Sequence, residues 1–480
     1  MLAAVREYKD HAGGHYSTRT IVSQAAQISG RPTDQTISEG DVVAEQERGK
    51  GAQYITEDLA DDGVDRRGFL TCMAWAGSAV LWTMAGGVPT SVALGQAGRL
   101  LKGGASKSGL FFAQISDSHM GFNKAANTNV AATFQEAISR LNALPKQPEF
   151  LLHTGDISHL SKADEFDAVD QMIRGAKTKT GRVFYVPGEH DVLDDNGAQY
   201  LQRYGKETKG HGWYSFDHSG VHFIGLVNVL DLKPGGLGNL GAEQLEWLER
   251  DVKGLPTSTP IVVFAHVPLW AVYPQWGWGT DDGAQALSYL KRFGSVTVLN
   301  GHIHQTIQKV EGNMTFHTAL STAFPQPAPG TAQAPGPVDV GADRLRSFLG
   351  ITSVQFAGSP STLAIVDASL AGTPVAVAGL GSENPRTKAR QSKPIADNEV
   401  AIDNFSFNPP NRTVPVGTTV TWINRDDIPH RIGSADQKFP LGPTLDTDGR
   451  YAYTFTAPGS YKYFCTVHPT MTGVITVSPA

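Results

Sequence analysis

The chain has 480 residues, of which 40% are hydrophobic and 18% charged, a composition typical of a folded protein of two or three domains rather than of a disordered chain. Its formal net charge is -6, and it has no long runs of lysine and arginine, so nothing predicts binding to duplex nucleic acid or to an anionic membrane surface. Two cysteines, Cys72 and Cys465, exclude any disulfide framework beyond one bridge between them.

The first part of the chain has the features of a targeting sequence rather than of a folded domain. Residues 1–64 are polar and glycine-rich, so we expect a disordered leader or a start codon assigned too far upstream. Within residues 65–98, Arg66-Arg67 precedes an uncharged, largely apolar stretch from Cys72 to Ala97. This arrangement resembles a twin-arginine export signal and implies a periplasmic or other extracytoplasmic location. The apolar stretch is also long enough to anchor the protein in a membrane if it is not cleaved.

A mixed α/β domain is predicted for residues 105–380. Short apolar strands alternate with helical stretches such as 129–144 and 164–177. Five of the strands end in blocks of acidic residues and histidines on glycine or proline turns. The blocks are Asp117-Ser-His119, Gly155-Asp156, Gly188-Glu-His-Asp191, His266-Val-Pro268 and Gly301-His-Ile-His304. Because loops at the carboxyl ends of neighbouring strands converge, we expect these side chains to meet and to bind metal ions.

The blocks, with the segments 213–217, 221–224 and 240–248, resemble the calcineurin-like metallophosphoesterases over about residues 108–325. The resemblance implies a four-layer α/β/β/α sandwich that hydrolyses phosphomonoester or phosphodiester bonds with a hydroxide bridging two metal ions. It implies one ion bound by Asp117, His119, Asp156 and His304, and a second bound by Asp156, Glu189, His266 and His302. In the same comparison Asp156 bridges the ions, and His190 is the acidic or cationic group that faces the leaving oxygen.

The ligand types predict which metals bind. Mixed imidazole and carboxylate ligands favour iron, manganese or zinc over magnesium. The family has an asparagine at the position of Glu189, and an ionised carboxylate accepts hydrogen bonds but donates none. Two divalent ions and three carboxylates leave the site one positive charge, one fewer than with asparagine. We therefore expect either a preference for diesters and other weakly charged substrates, or a mixed-valence pair with a trivalent ion such as Fe(III).

A second metal site is predicted near the carboxyl terminus. Residues 381–395 are polar and charged, which is typical of a linker, and residues 396–480 contain short strands that predict an all-β domain. Cys465, His468 and Met471 follow one of these strands, and His430 follows an earlier one. Two imidazoles, one thiolate and a weakly bound thioether form a trigonal copper site with a long axial ligand.

These residues resemble the cupredoxins, with the short ligand loop of amicyanin and plastocyanin-like proteins. The resemblance implies a Greek-key β-sandwich, one type 1 (blue) copper ion and a redox partner. Arg431 departs from the small polar residue that the family more often has beside the first ligand, and this bears on the redox potential more than on copper binding.

Two functions remain open from the sequence. The first is an exported dinuclear phosphoesterase that acts on a phosphate-ester substrate and carries a copper domain. The second is an electron-transfer or copper-binding protein whose phosphoesterase-like domain is a non-catalytic scaffold. The first is favoured because every ligand position has a competent side chain and His190 is present. The proline- and glycine-rich run 324–338 is either a loop over the site or a connector. For histidines outside the blocks we expect hydrogen-bonded or surface roles.

Overall fold

The computed structural model describes residues 109–356, 363–371 and 395–479, together with the backbone of three strands between residues 74 and 93. The predictions for residues 1–64, for Arg66-Arg67 and for 381–394 lie outside the described residues. All the described residues belong to one unit, Gly63–Ala480.

Three short antiparallel strands lie within the apolar stretch that predicts an export signal. They are β1 (Ala74–Gly77), β2 (Val80–Ala85) and β3 (Val88–Ala93), paired in that order. Within the described part of the chain, no helix has the length and apolar character needed to cross a lipid bilayer.

The first large sheet combines early and late strands of the α/β domain. Its strands are β4 (Phe111–Ile115), β5 (Leu151–His153), β6 (Val183–Tyr185), β13 (Gly350–Phe356) and β14 (Leu363–Ser369). Their order is β14-β13-β4-β5-β6. Because β4, β5 and β6 are parallel, the turns that follow them meet at one edge of the sheet.

The second sheet has six strands and brings two further blocks to its carboxyl edge. Its strands are β7 (Tyr214–His218), β8 (Val221–Gly225), β9 (Ile261–Phe264), β10 (Val296–Asn300), β11 (Gln308–Glu311) and β12 (Met314–Thr318). Their order is β11-β12-β10-β9-β8-β7, with β8, β9, β10 and β12 parallel. The two edge strands are antiparallel to their neighbours.

Five helices accompany the two sheets. They are α1 (Val130–Asn142), α2 (Ala163–Ile173), α3 (Ala198–Tyr204), α4 (Ala242–Lys253) and α5 (Gly283–Leu290). The helices predicted over 129–144 and 164–177 are thus present as α1 and α2. The first begins where the Asn129 side chain accepts a hydrogen bond from the backbone N–H of Ala132.

Apolar side chains join these layers. Phe112 of β4 and Phe150 pack against Phe223 of β8, with ring centroids 5.2–5.4 Å apart, and thereby connect the two sheets. A second cluster joins α1 and α2 to the first sheet, and a third joins α4 and α5 to the second sheet. Burial of each large apolar side chain contributes about 1.5–3 kcal/mol. The result is a mixed α/β domain whose strand ends are fixed relative to one another.

The last part of the chain is β-rich. Its strands are β15 (Glu399–Ile402), β16 (Phe407–Asn408), β17 (Asn411–Pro415), β18 (Thr419–Asn424), β19 (Ile432–Ser434), β20 (Arg450–Thr454), β21 (Gly459–Cys465) and β22 (Thr472–Ser478). They form two sheets of four, ordered β16-β15-β18-β20 and β17-β22-β21-β19. Trp422 of β18 packs on Tyr463 of β21, with ring centroids 5.3 Å apart, so one core joins both sheets.

Candidate metal centres

The five blocks converge at the carboxyl ends of the parallel strands. Asp117 and His119 follow β4, Asp156 follows β5, Glu189 and His190 follow β6, His266 follows β9, and His302 and His304 follow β10. Six of the seven predicted ligands are buried, and the seventh, His302, is partly exposed. The structure therefore brings residues that are up to 187 positions apart in the sequence into one cluster.

The first group of side chains consists of Asp117, His119, Asp156 and His304. The Nε2 atom of His119 lies 3.2 Å from Nε2 of His304 and 3.4 Å from Oδ2 of Asp156. Nε2 of His304 lies 3.3 Å from Oδ1 of Asp117. Ligand atoms that share a tetrahedral ion at about 2.1 Å lie roughly 3.4 Å apart, so these spacings fit one bound ion.

The second group consists of Glu189, His266 and His302, with Asp156 at its border. Nε2 of His266 lies 3.0 Å from Oε2 of Glu189 and 3.3 Å from Oδ2 of Asp156, and Nδ1 of His302 lies 2.9 Å from Oε1 of Glu189. The same oxygen of Asp156 therefore contacts a histidine of each group. This carboxylate is therefore placed to join the two groups.

Several buried polar atoms of the cluster form no hydrogen bond of good geometry. They include Oδ2 of Asp117 and Nε2 of His302, and also Oε2 of Glu189 and Nε2 of His266, which lie 3.0 Å apart without a hydrogen bond between them. Buried polar atoms are normally paired, because an unpaired one costs about 1–3 kcal/mol. Atoms of this kind that face one another across a small space have the chemistry of metal ligands, so the residues present fit bound cations.

Backbone carbonyls orient two of the imidazoles. Nδ1 of His266 donates to the carbonyl of Thr154 at 2.7 Å, and Nδ1 of His304 donates to the carbonyl of Phe324 at 2.6 Å. Each bond fixes the proton on Nδ1 and leaves Nε2 free to face the cluster, as is usual for metal-binding histidines.

The backbone is strained at five of the predicted ligands. Asp117, His119, Asp156, His302 and His304 have positive φ angles of 52°, 39°, 49°, 71° and 53°. The left-handed region costs a non-glycine residue about 1–3 kcal/mol and is concentrated at functional sites. Tight packing around these turns must hold all five residues in this conformation.

Close packing also explains two glycines of the blocks. A Cβ atom at Gly188 would lie 2.0 Å from Oδ1 of Asp156, and one at Gly301 would lie 2.1 Å from Oγ of Ser116. Neither position accepts a side chain unless a ligand-bearing turn moves.

Asp191 connects two of the turns, a role that the sequence did not reveal. Its buried carboxylate accepts hydrogen bonds from the backbone N–H groups of Ile157, Ser158 and Gly188 at 3.1, 2.8 and 2.9 Å, and from the Ser158 hydroxyl at 2.8 Å. These bonds join the turn of Asp156 to the turn that carries Glu189. The only sequence signal for this role was the acidic residue at the end of the third block.

The pKa values of the three carboxylates are shifted in different directions, because their neighbours differ. Burial raises the pKa of Asp156 well above its usual value, and the nearby Glu189 adds to this increase. Burial also favours the neutral form of Glu189, but His302 and His266 outweigh it and hold the pKa of Glu189 well below its usual value. The imidazoles His304 and His266 likewise outweigh burial and lower the pKa of Asp117. Cations that bind here compete with protons.

The ring of His190 lies beside the cluster, with its centroid 4.6 Å from that of His119. Nδ1 of His190 lies 2.8 Å from the carbonyl of His159 and donates to it, and burial lowers the pKa of His190 to about 4. The ring of His159 stacks on that of His190 with centroids 5.2 Å apart. The sequence predicted a hydrogen-bonded or surface role for His159. Both its ring nitrogens are instead buried without a hydrogen-bond partner, and it groups with His119 and His190. Its position three residues after Asp156 was the available signal.

Two further histidines outside the blocks, His153 and His317, have the hydrogen-bonded roles expected of them. His153 contacts the Ser118 hydroxyl at 3.0 Å, and burial lowers its pKa to about 3. His317 contacts Asp367 at 2.9 Å.

A small pocket lies over the cluster and is lined by both parts of the chain. The α/β domain contributes Trp276, Trp278, Phe324, Gln326, Pro335 and Gly336. The β-rich domain contributes Phe405, Ile428 and His468. The proline- and glycine-rich run 324–338 therefore forms part of the pocket wall and is more than a connector.

The predicted copper ligands also meet. Nδ1 of His430 lies 3.5 Å from Sγ of Cys465 and 3.3 Å from Nδ1 of His468, and the third side of this triangle is 3.8 Å. A point about 2 Å from all three atoms lies at its centre, which is within the usual range of metal–nitrogen bonds and slightly below that of metal–sulfur bonds. Met471 is buried in the same loop, where its backbone N–H donates to the carbonyl of His468. The donor set fits one copper ion.

Neighbouring polar groups favour the ionised form of Cys465 and orient the ring of His430. Burial opposes ionisation of Cys465, but His430 and His468 outweigh it and lower its pKa well below the usual value. Oδ2 of Asp426 lies 2.9 Å from Nε2 of His430 and orients that ring, a role that the sequence did not single out. Burial lowers the pKa of His430, whereas Asp426 and Cys465 raise it, to about 9 overall.

Arg431 contacts the α/β domain. Its guanidinium donates to the carbonyls of Gly442 and Leu193, and the second of these lies close to His190 in the sequence. The residue that departs from the cupredoxin pattern thus forms part of the contact between the two domains.

Comparison with known proteins identifies both parts of the chain. A family described as calcineurin-like phosphoesterase matches residues 112–306, and one described as copper binding proteins of the plastocyanin/azurin family matches residues 395–478. These matches imply divalent metal ions in the first domain and copper in the second.

Curated relatives match each part separately. Amicyanin-alpha of Methylorubrum extorquens is 36% identical over 94 residues, which are 19% of this chain and 79% of the relative. A probable cyclic nucleotide phosphodiesterase of Synechococcus is 31% identical over 207 residues, 40% of this chain and 73% of the relative. A 3',5'-cyclic-nucleotide phosphodiesterase of Nostoc is 26% identical over 220 residues, 44% of this chain and 78% of the relative. The chain belongs to the calcineurin-like phosphoesterases through its α/β domain and to the plastocyanin/azurin family of copper-binding proteins through its β-rich domain.

Proposed function

We propose that this protein is an exported, dinuclear metal-dependent phosphoesterase that carries a type 1 copper domain. The observation that supports this most strongly is the pair of ligand groups joined by Asp156, five of whose seven residues line one pocket. The first ion is assigned to Asp117, His119, Asp156 and His304, and the second to Asp156, Glu189, His266 and His302. The finer architecture that we propose is a four-layer α/β/β/α sandwich followed by a Greek-key sandwich.

The residues around the proposed ions have different roles in hydrolysis. Two ions held by these residues would supply an activated water at neutral pH and polarise the phosphoryl group. Asp156 sets the spacing of the two ligand groups, and Thr154 and Phe324 keep the imidazoles of His266 and His304 in the required orientation. The buried position of these side chains excludes competing water, which strengthens every electrostatic contact with a phosphoryl oxygen.

His190 is proposed to face the leaving oxygen. The carbonyl of His159 holds the proton on Nδ1, so Nε2 carries a proton only when the ring is cationic. An anionic phosphoryl group beside the ring favours that cationic form. His190 then donates a hydrogen bond, or its proton, to the departing oxygen.

The charge of the site favours phosphodiesters. Glu189 adds a third carboxylate to the two aspartates, and its ionised form cannot donate to a phosphate oxygen. Relatives described as cyclic nucleotide and glycerophosphodiester phosphodiesterases match the α/β domain. A mixed-valence pair containing Fe(III) is the alternative that would restore the missing charge for monoesters.

The test is hydrolysis of p-nitrophenyl phosphate and of bis(p-nitrophenyl) phosphate by full-length protein loaded with iron, manganese or zinc. Asp156→Asn should reduce kcat/KM at least about 100-fold, since it removes the shared ligand charge. Asp167→Asn is the matched control, because this carboxylate is exposed and pairs with Arg203 at 2.6 Å. Absence of hydrolysis of both esters with all three metals would refute the proposal.

Electron transfer is the second candidate function. The triangle of His430, Cys465 and His468 supports it, whatever the α/β domain does. A protein that holds copper and exchanges electrons, but hydrolyses neither ester, would favour this candidate with a non-catalytic α/β scaffold.

Export is proposed from the sequence pattern. Replacing Arg66 and Arg67 with lysines should retain the protein in the cytoplasm if the pair is a twin-arginine signal. Cell fractionation, with copper absorption as the marker of folded protein, provides the measurement. Unchanged extracytoplasmic protein in the double variant would contradict this assignment.

A further inference from the structure

One imidazole belongs to both candidate centres. The ring of His468 takes part in the triangle with His430 and Cys465, and it also groups with Glu189 and His190, with the ligand atoms of each group within 4.8 Å of one another. Its Nδ1 atom faces His430 and Cys465 at 3.3 and 3.8 Å. The polar atom that remains for the phosphoesterase pocket, which His468 lines, is Nε2.

Polar contacts hold the ligand loop of the β-rich domain at this pocket. The carbonyl of Pro469, next to His468, accepts a hydrogen bond from the backbone N–H of Gly235 at 2.6 Å. The Thr444 hydroxyl donates to Oδ1 of Asp194 at 2.6 Å. Arg431 donates to the carbonyl of Leu193.

Apolar side chains also pack across the contact between the α/β domain and the β-rich domain. Leu193 packs in the core of the β-rich domain, and Ile428 packs in the core of the α/β domain. The ring of Phe405 lies 4.8 Å from that of His468, which limits movement of the imidazole. The placement of His468 is therefore supported on several sides.

We propose that His468 is a substrate-positioning residue as well as a copper ligand, so that phosphate binding and the copper centre are thermodynamically coupled. This inference rests on the proposed function of the α/β domain. A metal at Nδ1 forces the ring proton onto Nε2, which makes His468 a fixed hydrogen-bond donor towards the pocket. The ionised carboxylate of Glu189 accepts hydrogen bonds but cannot donate one to a phosphate oxygen. The N–H group of His468, from the β-rich domain, supplies that donor.

The sign of the coupling follows from charge. Oxidation of Cu(I) to Cu(II) adds one positive charge on the far side of the imidazole, which strengthens its N–H as a donor to an anion. Phosphate therefore binds more tightly to the oxidised protein, and by linkage it stabilises Cu(II) and lowers the copper reduction potential. A roughly tenfold preference of phosphate for the oxidised form corresponds to a decrease of about 59 mV.

The test is a potentiometric titration of the copper in full-length protein whose dinuclear site is loaded with zinc. The potential is measured with saturating inorganic phosphate and with potassium chloride at the same ionic strength. We expect a lower potential in phosphate only. Asp156→Asn should abolish the response, because phosphate then loses its site, and Arg431→Ala should reduce it, because the domain contact is weakened while all the assigned ligands remain.

A second measurement tests the geometry without phosphate. Paramagnetic Mn(II) in the dinuclear site should broaden the EPR signal of Cu(II) and accelerate its relaxation, whereas diamagnetic zinc should not. An unchanged Cu(II) signal beside bound Mn(II) would overturn the shared position of His468. So would a copper potential that does not respond to phosphate in a protein that binds it.

These outcomes are distinguishable from failure of the proposed function. Protein that hydrolyses esters but has a copper potential indifferent to phosphate refutes the coupling alone. Protein that neither hydrolyses esters nor binds phosphate at its loaded dinuclear site refutes both.

Discussion

Asp191 holds two ligand-bearing turns together, and its replacement by asparagine tests that role. Four hydrogen bonds converge on its carboxylate, two on each oxygen. An asparagine that keeps the bonds from Ser158 presents its NH2 group to the N–H groups of Ile157 and Gly188. Two buried donors then lose their acceptor, at about 1–3 kcal/mol each, so the expected loss of stability is about 4 kcal/mol. For a domain of this size that is a decrease of roughly 10 °C in Tm.

The assay combines differential scanning calorimetry with metal analysis of the purified protein. Because the turn of Asp156 is released, Asp191→Asn should also bind less metal in the dinuclear site while copper is retained. Asp167→Asn is the control, since an exposed ion pair contributes about 0–1 kcal/mol. An Asp191→Asn protein that loses less than about 1 kcal/mol and binds its metals normally would refute the reasoning.

Three further predictions concern other parts of the molecule. Gly188→Ala should strongly weaken binding of metal, measured by calorimetric titration with zinc, because its Cβ would lie 2.0 Å from Oδ1 of Asp156; unaltered affinity would contradict the packing. His222→Gln should cost about 1–3 kcal/mol at pH 6 and less at pH 9. Burial lowers the pKa of His222, but Asp251 and a second aspartate raise it above its usual value overall. The stability that His222 contributes to the fold is therefore complete below the unfolded pKa and is lost as pH rises through the folded pKa. Urea denaturation at both pH values measures this, and an equal cost at both would count against the ion pairs. Cys465→Ser should remove the copper–thiolate absorption and leave ester hydrolysis measurable; intact absorption would place the copper elsewhere.

The ligand blocks could be predicted from the sequence because each of them is a short, continuous segment of the chain. Each block combines metal-ligand side chains with a turn residue after an apolar strand, and the parallel strand order then brings the blocks together. Cys465, His468 and Met471 are likewise close in the sequence and share one loop. The helices predicted over 129–144 and 164–177 agree with α1 and α2 to within about four residues at each end.

Features that depend on tertiary packing were not predictable. Asp191 acts through backbone N–H groups more than 30 residues away, and Asp426 acts through the ring of His430, so neither has a spacing that sequence reasoning can detect. The approach of His468 to Glu189 depends on how two domains pack. Arg431 was noted only as a departure from a family pattern, and its contact with Leu193 gives it a structural role.

Anomalous diffraction from crystals of the full-length protein, supplied with copper and with iron, manganese or zinc, tests the central claim most directly. Data at the absorption edge of each metal locate every ion independently of its assigned ligands. We predict copper among His430, Cys465 and His468, and two further ions about 4 Å apart on either side of Asp156. Copper as the sole ion, with no anomalous density beside Asp156, would contradict the account.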